Sequence, residues 1–231
     1  MGHVNHSRTN SRHFLVINPN TNVNVTASIR QTMVNITPPD VTTEVTSPST
    51  GPHAIESQQD KNVATQQVLT LIKQRQEETF AGYIMACFDD IAITEARAIT
   101  QRPVISLAEA SMRSAATAGG IFTVITTFDN AVPTIVALSE SYGLGQRCRV
   151  VATGIGVTDT AAQTERAEER LHTAITTAIQ CGSKAIVLGS GAFAGRAQTL
   201  SEHYHIDVTD GFREALEYTM RQPYLADNAS A

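Results

Sequence analysis

Cys87 and Ser190 are the two side chains whose types and positions are best suited to chemistry in this chain. Each follows a short apolar run, GYIMA at 82–86 and AIVLG at 185–189. Apolar runs of this length predict buried strands, so both side chains would open onto loops at strand ends. An ionised thiol can act as a base or a nucleophile, whereas a hydroxyl mainly exchanges hydrogen bonds. Matched positions in the two halves of the chain indicate a site built from two similar parts.

The elements that would position these two side chains alternate between strands and helices. Predicted strands begin near Phe14, Val41, Tyr83 and Val104, and again near Phe122, Arg149, Ala185 and Asp207. Such alternation predicts an α/β fold with parallel sheets and helices on both faces. We predict a disordered polar leader at 1–13, a first domain of 14–108 plus 209–231, and a second domain of 109–208. Because ligands bind beyond the carboxyl ends of parallel strands, we expect one cleft between the two domains.

Composition excludes several classes of protein. The chain has 231 residues, 42% of them hydrophobic, which is enough for substantial cores, and its net charge of −5 with no basic run argues against a nucleic-acid partner. No apolar stretch approaches the roughly 20 residues that a membrane span needs. Three widely spaced cysteines do not form a disulfide framework, so we expect a cytoplasmic protein. Metal-ligand spacings and phosphate-binding glycine loops are missing from the sequence, so we expect no metal and no cofactor.

Cys87 has a structural alternative, because free cysteine is often simply a small buried residue. If it is functional, the start of a following helix would lower the pKa of its thiol. Asp89 and Asp90 would oppose this, although we expect them to cap that helix. Thiol-based hydrolysis would need a histidine partner, for which His53 in a loop is a candidate. Two further cysteines, at 148 and 181, are expected to be structural.

The polar turn at Asn18, Asn20 and Thr21 follows the first predicted strand. It can be a plain turn and helix start, since asparagine favours both. It can also bind a carbonyl or carboxylate through side-chain amides and helix-start N–H groups. Thr126 and Thr127 occupy the equivalent place in the second half, and the sequence leaves both interpretations open.

Five motifs together resemble the hydantoin and allantoin racemases of the aspartate/glutamate racemase superfamily. They are INPNT at 17–21, ACFDD at 86–90, PVISLAEA at 103–110, VITT at 124–127 and IVLGSG at 186–191. They occur in order from Phe14 to about Gly211, nearly the whole chain. The turn at 17–21 together with the strand-end cysteine is the most specific part of the resemblance.

The resemblance implies two pseudo-symmetric flavodoxin-like domains with the active site between them, a small-molecule substrate and a homo-oligomer. It implies a cofactor-independent reaction in which one thiolate removes an α-proton and a second thiol protonates the opposite face. Cys87 and Ser190 stand at the two catalytic positions. The substrate-binding positions implied are Asn18, Asn20, Thr21, Pro52, Ile55, Thr126, Thr127 and Gly191, with Glu56 in the loop that borders the site.

Two departures from the family pattern change the expected chemistry. Asp89 and Ile91 stand where the family usually has glycine and proline, and Ser190 stands where it has the second cysteine. Serine is a far weaker acid than cysteine, so racemisation through both residues should be badly impaired. Three explanations remain open: an engineered substitution in a racemase; a natural one-thiol enzyme, such as a decarboxylase or a cis–trans isomerase; or a small-molecule binding protein without turnover.

Overall fold

Eight strands form two parallel four-stranded sheets in the computed structural model, which describes residues 12–222. In the first sheet the order is β2-β1-β3-β4, with β1 Arg12–Ile17, β2 Val41–Thr46, β3 Gly82–Met85 and β4 Val104–Ser106. In the second sheet the order is β6-β5-β7-β8, with β5 Phe122–Thr126, β6 Cys148–Ala152, β7 Ala185–Leu188 and β8 Asp207–Thr209. The strand order is the same in both halves, which confirms the predicted α/β fold with two similar parallel sheets.

Helices connect the strands and cover the sheets. Those of the first half are α1 Val23–Ile36, α2 Gln58–Gln74, α3 Ile93–Ile99 and α4 Leu107–Thr117. Those of the second half are α5 Val132–Ser141, α6 Val157–Ala161, α7 Glu165–Gln180, α8 Ala197–Tyr204 and α9 Phe212–Arg221. None of the helices within residues 12–222 combines the length and the apolar character required to cross a membrane.

Each sheet buries both faces, because alternate side chains of a strand point to opposite sides. Phe14 and Val16 join a central core that also contains Val124 and Val187 of the second sheet. The alternate residues of the strands belong to two outer cores, one beneath α2 and α3 and one beneath α7 and α8. The central core therefore holds the two halves together and fixes the carboxyl ends of their strands relative to each other.

Helices α4 and α9 cross between the halves. α4 follows the first sheet but contacts β7 and β8, whereas α9 follows the second sheet and contacts β3 and β4. The two helices also pack on each other. The division into 14–108 plus 209–231 and 109–208 stays a prediction, and its boundary at 108 falls within α4.

Gly211 lies where α9 begins against α4, and its φ of +82° favours glycine. A Cβ at this position would lie 3.0 Å from the carbonyl oxygen of Leu107 and 2.9 Å from Cβ of Ser111. Gly211→Ala is therefore expected to lower the free energy of unfolding by about 3 kcal/mol, from backbone strain plus overpacking. Gly143 is the matched control, because its φ is +75° and a Cβ would meet no atom within 4 Å.

Gly143→Ala is expected to cost only about 1 kcal/mol, the backbone term alone. Urea unfolding of the two variants measures the difference. If both variants lost the same free energy of unfolding, the contact between α4 and α9 would tolerate a methyl group at position 211.

Several element boundaries differ from those that the sequence predicts. β1 begins at Arg12 rather than at Phe14, because Arg12 and His13 pair with Val41 and Thr42 of β2. The rest of the predicted leader, 1–11, lies outside the described residues. The helical pattern of the sequence runs from Ala161 to Cys181, whereas α7 begins only at Glu165, because Gln163 adopts a φ of +52° and the Thr164 side chain caps α7.

Candidate active site

The carboxyl ends of the central strands of both sheets meet around one cleft. Cys87 follows β3, Ser190 follows β7, and both line this cleft. The two strand ends are close: a Cβ on Gly191 would lie 3.1 Å from the carbonyl oxygen of Ala86. A methyl group at position 191 would therefore require the two strand ends to move apart by a few tenths of an ångström, which favours glycine beside Ser190.

Cys87 lies in an environment that favours the neutral thiol when no ligand is present. Burial, and then the charge of Asp89, raise the pKa of Cys87 to about 12, with a smaller contribution from Asp90. The ammonium of Lys61 and the backbone N–H of Asp89 act in the opposite direction. The helix that was expected to lower this pKa begins only at Ile93, so its N–H groups do not offset the burial.

Ser190 caps a short 3-10 turn at Gly191–Phe193. Its Oγ accepts a hydrogen bond of 3.2 Å from the backbone N–H of Ala192. The hydroxyl is half-buried and lines the cleft together with Gly189 and Gly191. The same N–H would stabilise a negative charge on this side chain, but a serine hydroxyl ionises only with a strong base.

Asn18 orients Asn20. The amide nitrogen of Asn18 donates to Oδ1 of Asn20 at 2.9 Å and to Oγ1 of Thr26 at 3.0 Å. Oδ1 of Asn20 also accepts from the backbone N–H of Asn22 at 3.0 Å. Asn20 lines the cleft, and two donors hold its oxygen in place. Asn18 itself is 0% exposed and is not part of the cleft wall.

Thr126 and Thr127 end β5 on the opposite side of the cleft, and both line it. Oγ1 of Thr126 donates to the carbonyl oxygen of Gly189 at 3.1 Å, which ties β5 to the segment before Ser190. The Thr127 carbonyl accepts from Gly154 and Thr153. Within residues 12–222 the Thr127 hydroxyl has no hydrogen-bond partner, so it remains available to a ligand.

The loop before α2 reaches across to the second half. Thr21 fixes its start, because the N–H of Thr21 donates to the Pro52 carbonyl at 2.9 Å. Further along, Ile55 and Glu56 line the cleft. Burial raises the pKa of Glu56, and a hydrogen bond from the backbone of Val157 in α6 partly offsets that effect. The loop therefore forms a wall of the cleft that both halves support.

Lys61 adds a charged bridge to the cleft. Its Nζ lies 2.8 Å from Oδ1 of Asp89 and 2.9 Å from Oγ1 of Thr134 in α5. The Lys61 and Asp89 side chains are 18% and 13% exposed, and both line the cleft. An ammonium from the first half thus holds the loop after Cys87 and a helix of the second half at once.

The expectation that Asp89 and Asp90 cap the next helix is wrong. α3 begins after Ala92, which has a φ of +59° and makes no side-chain cap. Asp90 instead accepts hydrogen bonds from Ser106 and, at 2.5 Å, from Tyr142 of the second half. Left-handed conformations at Asp90 and Ala92 separate the two carboxylates from the start of α3.

The cleft brings together most of the side chains that the sequence nominates. Its wall contains Cys87, Ser190, Asn20, Ile55, Glu56, Thr126, Thr127 and Gly191. Asn18, Thr21 and Pro52 lie behind the wall and support it. His53 is exposed, and no histidine of residues 12–222 lines the cleft, so thiol-based hydrolysis lacks its expected base.

Sequence reasoning missed several wall residues. They are Pro19, Lys61, Phe88, Phe128, Asn130, Ala131, Ile135 and Val157. Phe128 and Asn130 follow the strand-end threonines directly, so the rule that places ligands beyond strand ends could have nominated them. Lys61 lies inside a helix and gives no local signal.

Comparison with known proteins agrees with the geometry. Residues 14–219 match the family model described as Asp/Glu/hydantoin racemase. A hydantoin racemase of Rhizobium meliloti is 30% identical over 207 residues, which cover 89% of this chain and 86% of that protein. An allantoin racemase from Klebsiella pneumoniae has a TM-score of 0.87 and 31% identity, covering 91% of this chain and 86% of that one. An allantoin racemase from Pseudomonas fluorescens has a TM-score of 0.84 and 25% identity, covering 90% and 89%.

Proposed function

This chain belongs to the Asp/Glu/hydantoin racemase family, and we propose that it moves protons at the α-carbon of a hydantoin, an allantoin or a similar cyclic ureide. The observation that carries the proposal is the cleft in which the strand-end residues Cys87 and Ser190 meet. We propose that no cofactor takes part, since the ring carbonyl next to the α-carbon already acidifies the proton.

Cys87 is the proposed base. Its thiolate takes the α-proton, and the electron pair of the broken C–H bond moves into the ring to form an enolate at the adjacent carbonyl. The NH2 group of Asn20 and the hydroxyl of Thr127 are donors on the cleft wall that can hydrogen-bond to this oxygen. Donors fixed in advance stabilise a developing oxyanion, because no reorganisation is needed during the reaction. The Cys87 thiol then exchanges its proton with solvent and protonates the carbon from the same face, which regenerates the thiolate.

Ser190 makes the two faces of the enolate unequal. Protonation from its side would leave an alkoxide, which is far less stable than the thiolate of a second cysteine. The hydroxyl can still hold a water molecule or a ring oxygen in place. We therefore propose that exchange through Cys87 with retention of configuration is faster than inversion.

The test is to incubate a single enantiomer of a 5-substituted hydantoin, and separately of allantoin, with the protein in D2O. We expect α-deuteration to be faster than loss of optical rotation, both corrected for the rate without protein. Mass or NMR signals give the deuterium content and polarimetry gives the inversion. If neither substrate exchanges its proton above the uncatalysed rate, the proposal is wrong and a binding protein without turnover becomes the better interpretation.

A further inference from the structure

The Lys61–Asp89 ion pair lies where it can control the ionisation of Cys87. Both side chains line the cleft that contains the thiol, and Asp89 is only two residues from it in the chain. Lys61 is held in place from two directions, by Asp89 and by Thr134. Its ammonium therefore has a fixed position relative to the loop that carries the sulfur.

Stability alone does not account for this pair. Ion pairs that are partly withdrawn from water gain attraction but lose hydration, so their net contribution to folding is small on average. The same withdrawal from water strengthens the effect of each charge on its neighbours. With side chains 13–18% exposed, the pair is placed to act on the electrostatics of the cleft.

We propose that Lys61 and Asp89 are positioning residues that set the thiol–thiolate balance of Cys87, the cation favouring the thiolate and the anion opposing it. The inference rests on the proposed role of Cys87 as the base. The charges that act on the sulfur are those of Asp89 and Asp90 from its own loop and of Lys61 from α2, while Glu56 lines the same cleft. The direction in which each charge moves the Cys87 pKa agrees with this assignment.

The rate of alkylation of Cys87 by iodoacetamide tests the proposal without needing a substrate. Only the thiolate reacts, and below the pKa each pKa unit changes the thiolate fraction tenfold. At pH 8 we expect Asp89→Asn to raise the rate about tenfold and Lys61→Met to lower it about tenfold. The double variant should return close to the original rate. Mass spectrometry of the Cys87 peptide separates its reaction from that of the other two cysteines.

Changes of opposite sign in the alkylation rates of the two single variants distinguish electrostatic control from a structural role. If the pair only held the loop in place, each single substitution would break the same bridge and change the rate in the same direction. That result, or no change beyond the controls, would overturn the proposal. Lys61→Arg should stay within about threefold of the original rate, because it keeps the charge.

Two exposed residues supply matched controls. Lys73→Met removes the same charge from the last turn of the same helix, and Asp40→Asn removes a carboxylate from a surface turn. Neither should change the alkylation rate. Because this readout is the chemistry of the thiol itself, a failure of the exchange experiment in D2O leaves it intact, and the two proposals can fail separately.

Discussion

Cys87→Ala is expected to lower α-proton exchange from a cyclic ureide by roughly 10³-fold, towards the uncatalysed rate. The physical reason is that Cys87 is the proposed base, whose thiolate takes the proton from carbon and whose thiol gives one back. Ser190, across the cleft, cannot replace it, because its hydroxyl would need a base of its own. The measurement is deuterium incorporation by NMR under the conditions used for the unaltered protein.

Cys148→Ala and Cys181→Ala are the controls for this prediction. Cys148 begins β6 and Cys181 ends α7, and neither lines the cleft. Both variants should keep the original exchange rate. Full exchange activity in Cys87→Ala would mean that another group is the base. Binding of the ureide should survive the loss of the sulfur, and calorimetry can measure it.

The architecture could be predicted from the sequence because it depends on local patterns. Short apolar runs predict most of the strands and β-branched alternation predicts β2, and all eight strands begin within two residues of the predicted starts. Helix ends were harder to predict, because they depend on single residues. The helical pattern from Ala161 to Cys181, for example, looks continuous by hydrophobicity alone, yet α7 begins only after Gln163 and Thr164.

From residue types and spacing alone, the candidate site could be predicted only where residues follow strand ends, whereas Ile55 and Glu56 were nominated by the family resemblance. Cys87, Ser190, Thr126 and Thr127 all follow that rule, and all lie on the cleft wall. Asn18 shows the limit of the rule, because the strand-end turn is used to orient a neighbour. The sequence presents Asn18 and Asn20 alike, whereas in the structure only Asn20 lines the cleft and Asn18 donates a hydrogen bond to its side-chain oxygen.

Contacts between the two halves could not be predicted from the sequence at all. Lys61 meets Thr134, and Asp90 meets Tyr142, only because the central core brings the halves together. No periodicity connects residues so far apart in the chain. The wrong expectation for Asp89 and Asp90 has the same cause: a local cap was the best assignment until long-range partners were visible.

Ser190→Cys carries the other large expected effect, a rise in the racemisation rate of roughly 10²-fold. A thiol at this position could give its proton to the enolate and remain as a thiolate, which a serine cannot match. A thiolate at this position would be stabilised by the backbone N–H of Ala192, which already donates a hydrogen bond to the side-chain oxygen that sulfur would replace.

Polarimetry measures the inversion, while deuterium incorporation reports proton transfer as a whole. In Ser190→Cys the two rates should become similar, since a thiol then stands at each strand end, whereas in the unaltered protein exchange should exceed inversion. Ser190→Ala is the matched control: it removes the hydroxyl, and we expect it to keep exchange through Cys87 without gaining inversion. If Ser190→Cys accelerates neither rate while the variant folds normally, the second strand end does not face the α-carbon. The cleft would then serve one-sided chemistry, such as decarboxylation or cis–trans isomerisation with Cys87 as the proton donor.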